Sequence, residues 1–265
     1  MCRSLGLSRC AVLLAAVTVA AVAVLAVADG QAAAAGSSPV ALILSERTAA
    51  ATANYPTYEK EFNTAAAWLD NFFSYDIISD REVEAGKLTG YKLAILPENA
   101  VMSAQEVQAY RDFVAQGGKV IIVFSTSLRN DQLKLSGLQL GDLVGVAWVQ
   151  WASDPSFKQI KIVDAGDILA DAPASIPVPT GSSQQVQLVG SGKVLAVRAG
   201  ADGSPSVENP AVIVASDAGV YFAVPVFLPD LLAAPELQQA VYATIKYYAP
   251  GAVKAPFAAV EIPVQ

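Results

Sequence analysis

The chain contains no histidine in any of its 265 positions, and its only cysteines are Cys2 and Cys10. Without imidazole, Ser-His-Asp and Cys-His nucleophilic chemistry, histidine metal sites and histidine proton transfer are excluded. Both cysteines precede an uncharged run, "AVLLAAVTVAAVAVLAVA" over residues 11–28, so the chain beyond it has no thiol and no disulfide. Charged residues make up only 15% and no basic cluster occurs, which leaves nucleic-acid binding without a footing. The formal net charge of −7 points the same way. No Asn-x-Ser/Thr sequon, metal-ligand spacing or cofactor motif is found. "GSGK" (190–193) lacks the glycine spacing of a phosphate loop and reads as a hairpin turn, and "SDREVE" (79–84) reads as a solvated strand end and helix start.

What is present begins with that apolar run. Arg3 and Arg9 precede it, and "AVA" before Asp29 and "AAA" before Gly36 supply small residues for cleavage. This is the pattern of a secretory signal, here residues 1–28, followed by a small-residue linker over 29–38. It predicts a secreted, periplasmic or cell-surface protein with no membrane contact once the signal is removed. Loss of Arg3 and Arg9 would take the charge from −7 to −9. A retained N-terminal membrane anchor is the competing reading, but 18 apolar residues lie near the lower limit for a span and alanine dominates them.

Beyond the linker the hydrophobic content of 54% supports a sizeable core. "PVALILSE" (39–46) reads as a strand buried on both faces. Tyr58, Phe62, Ala65, Ala66, Leu69 and Phe73 then recur at steps of three or four, which predicts a helix with Trp68 beside its apolar stripe. "YDIISD" (75–80) and "KLAILPEN" (92–99) read as further strands. Ser103 and Glu106 form a capping-box pattern ahead of Val107, Tyr110 and Val114, and Gly117–Gly118 stop that helix before the strand "KVIIVFS" (119–125). Alternating strands and helices predict a parallel sheet with helices on both faces. From Trp148 to Val226 short strands dominate, and "PELQQAVYATIKYYA" (235–249) returns to helical period.

"YKLAILPENAVMSAQEVQAYRDFVAQGGKVIIVFSTS" (91–127), "LGDLVGV" (140–146) and "PAVIVASDAGVYFAVPVFLPDLLAAPELQQAVYATIKYYAPG" (210–251) together resemble the domain that mediates trimerisation in certain microbial β-galactosidases. That domain is similar in fold to class I glutamine amidotransferases. The resemblance implies a flavodoxin-like α/β domain over 39–251, with a β-rich second half and a C-terminal tail over 252–265. Active amidotransferases of this fold place a cysteine, activated by a histidine, on a tight turn after a strand. Here "VFSTS" stands in that place with Phe124, Ser125 and Thr126. The resemblance is therefore to the non-catalytic branch. It implies work by interaction: self-association, a glycosidase partner or a carbohydrate ligand, without a cofactor.

Candidate site residues follow from the sheet. Open α/β sheets bind ligands beyond the carboxyl ends of their strands. Glu46 follows the first strand, Glu98 and Asn99 the third, and Ser125, Thr126 and Arg129 the fourth, so these form the candidate ligand-binding rim. A glycosidase-like hydrolase using Glu46 and Glu98 is the alternative function. A structural role competes with both, since loop polar residues solvate turns and cap helices by default. Trp148 and Trp151 suit sugar stacking, but on a regular strand they point to opposite faces and share a platform only if a bulge intervenes. Export is tested by N-terminal sequencing of secreted material: a start near Asp29 or Gly36 is expected, and an intact Met1 end in the membrane fraction would contradict it.

Overall fold

The structure, a computed structural model, describes residues 38–179, 181–205 and 210–263. The proposed signal and most of the linker lie outside these residues. The first half alternates as expected: β1 (Val40–Leu44), α1 (Glu46–Ala50), α2 (Tyr58–Phe72), β2 (Asp76–Ser79), α3 (Asp80–Glu84), β3 (Leu93–Leu96), β4 (Val101–Met102), α4 (Ala104–Ala115) and β5 (Lys119–Val123). From there strands dominate: β6 (Arg129–Asn130), β7 (Val146–Ser153), β8 (Gln159–Ile162), β9 (Ser175–Pro177), β10 (Ser182–Leu188), β11 (Lys193–Ala199), β12 (Ala211–Ser216) and β13 (Gly219–Phe222). The helices α5 (Pro229–Leu232) and α6 (Pro235–Tyr248) follow.

Among the described residues nine strands form one sheet in the order β2-β1-β3-β5-β13-β12-β11-β8-β9. The strands β2, β1, β3, β5 and β13 pair in parallel, and the rest pair antiparallel. Most of the β-rich half thus extends the parallel sheet, while β7 and β10 pair apart from it, as do β4 and β6. Burial follows the sequence: "LAIL" of β3 is buried throughout, whereas the edge strand β2 leaves Ile77 half exposed. Alternate residues of each central strand enter two cores. Val40, Leu42, Ile95 and Phe222 pack with α2 and α6 on one face, while Ala41, Ile43, Leu96 and Tyr221 pack with α4 on the other.

The antiparallel ribbon β7–β10 packs on the α4 face, through Val146 and Val186. "GSGK" is a turn, but it leads from β10 in this ribbon to β11 in the main sheet and so closes no hairpin. The seam between the two halves is the β5–β13 pair. Gly219, opposite Val120, has φ of +154°, and a side chain there would put its Cβ 1.9 Å from the Val120 carbonyl oxygen. Only glycine lets the two backbones approach so closely. Gly219→Ala is expected to lower stability by about 3 kcal/mol in denaturant titration. Gly251→Ala, where a Cβ meets nothing within 4 Å, is the control and should change it by under about 0.5 kcal/mol. Equal effects would contradict the seam.

Candidate functional site

The carboxyl ends of β1, β3 and β5 end in polar residues, but these do not line an open crevice. Glu98 is 4% exposed, and Asn99, Ser125 and Thr126 are fully buried. Their side chains satisfy the sheet itself. Asn99 donates from Nδ2 to the Ile43 carbonyl at 3.2 Å, bridging β3 to β1. Thr126 Oγ1 lies 2.6 Å from the Val123 carbonyl oxygen and 3.1 Å from that of Leu96. The phenol of Tyr221 donates to the Phe124 carbonyl at 2.9 Å, and the Ser45 amide donates to the phenol oxygen of Tyr58. A buried carbonyl or amide left without a partner costs about 1–3 kcal/mol, so these contacts have a structural reason to exist.

Glu98 does not face Glu46. Its partner is Glu61 of α2, itself 2% exposed. The two carboxyls hydrogen-bond each other, and Ser125 also bonds Glu98. Two carboxylates cannot donate to one another, so this contact requires at least one of the pair to hold its proton. Burial, and then the charge of Glu98, push Glu61 well above the ordinary carboxyl range; burial also raises Glu98. Glu46 is turned outward and pairs with Arg81 at 2.7 Å. Arg129 donates to the Tyr55 phenol oxygen at 3.1 Å and to the Leu133 carbonyl at 2.7 Å. The structure thus groups Glu98, Asn99, Ser125 and Thr126, sets Arg129 beside them through Tyr55, and leaves Glu46 on another surface.

The ribbon covers this pole. Trp148 pairs with Val186, Gln150 with Gln185 and Trp151 with Gln184, so Val149 is an extra residue and a bulge lies between the tryptophans. Residues directly opposite across a strand pair share a face, which places both tryptophans on the side of the buried Val186 and Gln184. The proviso of the sequence reading is met. Trp148 donates from Nε1 to Gln184 Oε1 at 2.7 Å, and Gln184 reaches Ser125 Oγ at 3.3 Å. A continuous chain of contacts therefore runs Trp148–Gln184–Ser125–Glu98–Glu61. Trp151 is half exposed and meets the Phe124 ring at 5.5 Å.

The turn after β5, where the resemblance to amidotransferases would place a nucleophile, is made of Phe124, Ser125 and Thr126 and begins on Phe124. Its φ is +51°, and Glu98 (+56°) and Ser127 (+64°) are also left-handed, an arrangement that costs a non-glycine residue energy. The turn is strained, an aromatic ring stands on it, and an irregular segment leads on from it to β6.

A second charged cluster lies beside the first and was not read from the sequence. Arg47 contacts Asp80 at 3.3 Å, Glu84 at 2.8 Å and Glu106 at 3.6 Å. Asp80 and Glu106 are fully buried, so "SDREVE" is only partly solvated. Its Ser79 and Glu82 make a complete capping box. At Ser103 only the serine half forms, because Glu106 turns inward to Arg47. Glu61 and Glu106 each carried one signal: Glu61 falls three residues after Tyr58 and four before Ala65, and Glu106 four before Tyr110, on the apolar stripes. Burial first, then repulsion from Asp80, raises Glu106 from 4.5 to about 8 against the pull of Arg47.

The sequence profile of the β-galactosidase trimerisation domain matches residues 38–226. Among solved structures, the β-galactosidase of Bacillus circulans sp. alkalophilus is similar at TM-score 0.56 and 20% identity over 76% of this chain and 30% of that one. The polyextremophilic β-galactosidase of the Antarctic haloarchaeon Halorubrum lacusprofundi gives 0.61 and 17%, over 80% and 30%. A putative ThuA-like protein of Bacteroides uniformis gives 0.54 and 13%, over 79% of this chain and 90% of its own. This chain therefore spans about 30% of the β-galactosidases it matches.

Between pH 4.5 and about 8 the folded chain holds a proton on Glu106 that an unfolded chain has released. Glu61 and Glu98 act in the same direction. That stability is complete in acid and is lost as pH rises through the folded value. Denaturation midpoints measured from pH 5 to 9 should fall, and Glu106→Gln should make the fall shallower. A midpoint that rises over this range would contradict the cluster.

Proposed function

Because the chain belongs to the β-galactosidase trimerisation domain family, we propose that it is a non-catalytic assembly module, which associates with itself and serves a glycosidase partner. The observation that carries this reading is the closure of the strand-end pole. Groups that would bind or cleave a substrate are spent on the strand carbonyls and on one another, and the turn after β5 holds Phe124, Ser125 and Thr126 with no cysteine among them. What remains for function is surface. Leu133 and Leu135 on the hairpin after β6, and Val149 and Trp151 on the ribbon, are each at least 40% exposed. Exposed apolar side chains of this size favour a protein partner.

A carbohydrate contact is the second reading, and the half-exposed indole of Trp151 seated on Phe124 favours it. The uncharged run over 11–28 supports a place outside the cytoplasm. Sizing by light scattering over a range of concentrations tests assembly. An oligomer, and a trimer in particular, is expected, and Trp151→Ala combined with Leu135→Ser should raise its dissociation constant at least about tenfold. A folded monomer at high concentration would contradict the proposal. Glycoside hydrolysis that disappears in Glu98→Ala would overturn the non-catalytic reading.

A further inference from the structure

At the pole opposite the closed one, where the central strands begin, a cleft of about 810 Å³ opens. Lys92 stands just before β3, Lys119 opens β5, Lys193 opens β11, and Asp217 lies in the turn from β12 to β13. The loop after β8 adds Asp167, and the last turn of α6 adds Tyr247 and Tyr248. A volume of this size holds small molecules.

The walls of the cleft are fixed in place. Asp164 pairs with Lys193 at 2.8 Å and accepts from the Gly166 amide at 3.1 Å, which ties the loop after β8 to the start of β11. Across from it, Ser216 donates to the Leu143 carbonyl at 2.5 Å and accepts from the Ala218 amide at 3.1 Å. Lys119 donates to the Asp217 carbonyl at 2.5 Å. Walls already ordered lose little entropy when a ligand arrives.

The groups left over decide which ligand fits. Among the described residues the side chains of Lys92, Asp167 and Asp217 make no ion pair or hydrogen bond, and the buried hydroxyl of Tyr248 has no partner. Burial first, then the neighbouring Tyr247 and Asp217, push that phenol up, so it stays a neutral donor. The charges of Lys92, Lys119 and Lys193 are matched by those of Asp164, Asp167 and Asp217, so nothing here selects a phosphate or a carboxylate. Tyr247 is 47% exposed, and its ring stands at 79° to that of Tyr248 with centres 4.9 Å apart, which holds an aromatic face open beside the polar groups. Lysine only donates and a carboxylate only accepts, whereas a sugar hydroxyl does both, and the C–H face of a pyranose suits an aromatic ring.

We propose that this cleft binds a neutral saccharide, with a sugar ring on Tyr247 and its hydroxyls held by Lys92, Asp167 and Asp217. The site lies at the other end of the sheet from Trp151 and does not depend on assembly.

The test is an NMR titration of the full chain with methyl β-galactoside and cellobiose, and in separate arms with glucuronate and inorganic phosphate. At least one neutral sugar is expected to bind and to shift the amides of residues 117–119, 165–168 and 216–218. Tyr247→Ala should weaken that binding at least about tenfold, and Tyr247→Phe, which keeps the ring, far less. Shifts confined to Phe124 and Trp151, or binding untouched by Tyr247→Ala, would overturn the cleft as the site. Tighter binding of glucuronate or phosphate, or no binding of either neutral sugar, would overturn the ligand class. Light scattering on the same samples reports assembly separately, so neither result bears on that reading.

Discussion

Ile43, Leu96 and Val123 are buried at or beside the ends of β1, β3 and β5, and their carbonyls, with that of Phe124 in the turn that follows, must find donors there. That requirement organises the whole pole. A parallel strand covered on both faces cannot solvate its last residues, so the following loop supplies donors from its own side chains. Asn99, Thr126 and Tyr221 do so, and Glu98 and Ser125 are drawn in behind them. Once Glu98 is buried its charge must be balanced, and Glu61, placed on the inner stripe of α2, balances it by sharing a proton. The cost of three left-handed residues at Glu98, Phe124 and Ser127 is borne because these contacts fix the loops in place.

Much of the fold was legible because it depends on periodicity. "VALIL", "LAIL" and "KVIIV" announce buried parallel strands, and Tyr58 to Phe73 announces the covering helix. The pairing of β13 with β5 was not legible, since "GVYF" carries no mark of its partner beyond the glycine that permits close approach. The site was half legible. Strand ends located Glu98, Asn99, Ser125 and Thr126, but spacing alone does not say whether a polar residue faces a ligand or its own backbone. Glu61 and Glu106 were visible only as charges interrupting apolar stripes. The alternation rule placed Trp148 and Trp151 on opposite faces, and a single extra residue at Val149 reverses that.

The same physics separates scaffold from chemistry. Rigid strands, helices on both faces and a strained turn after β5 are all that an enzyme of this shape needs for its framework. In this chain the turn presents Phe124 against Trp151, and the neighbouring polar groups are consumed internally. The framework is then free to serve through its outside, where Leu133, Leu135, Val149 and Trp151 stand exposed.

The central claim is that the strand-end pole is a closed network held by one proton shared between Glu61 and Glu98. Carbon-13 NMR titration of the side-chain carboxyls of these two residues tests it most directly. The account requires the pair to keep one proton well above the ordinary carboxyl value of 4.5 and to move together, with Glu61→Gln leaving Glu98 ionised beside a neutral donor. Two independent titrations near 4.5 would mean that the pole is open to water and that the network described here does not close it.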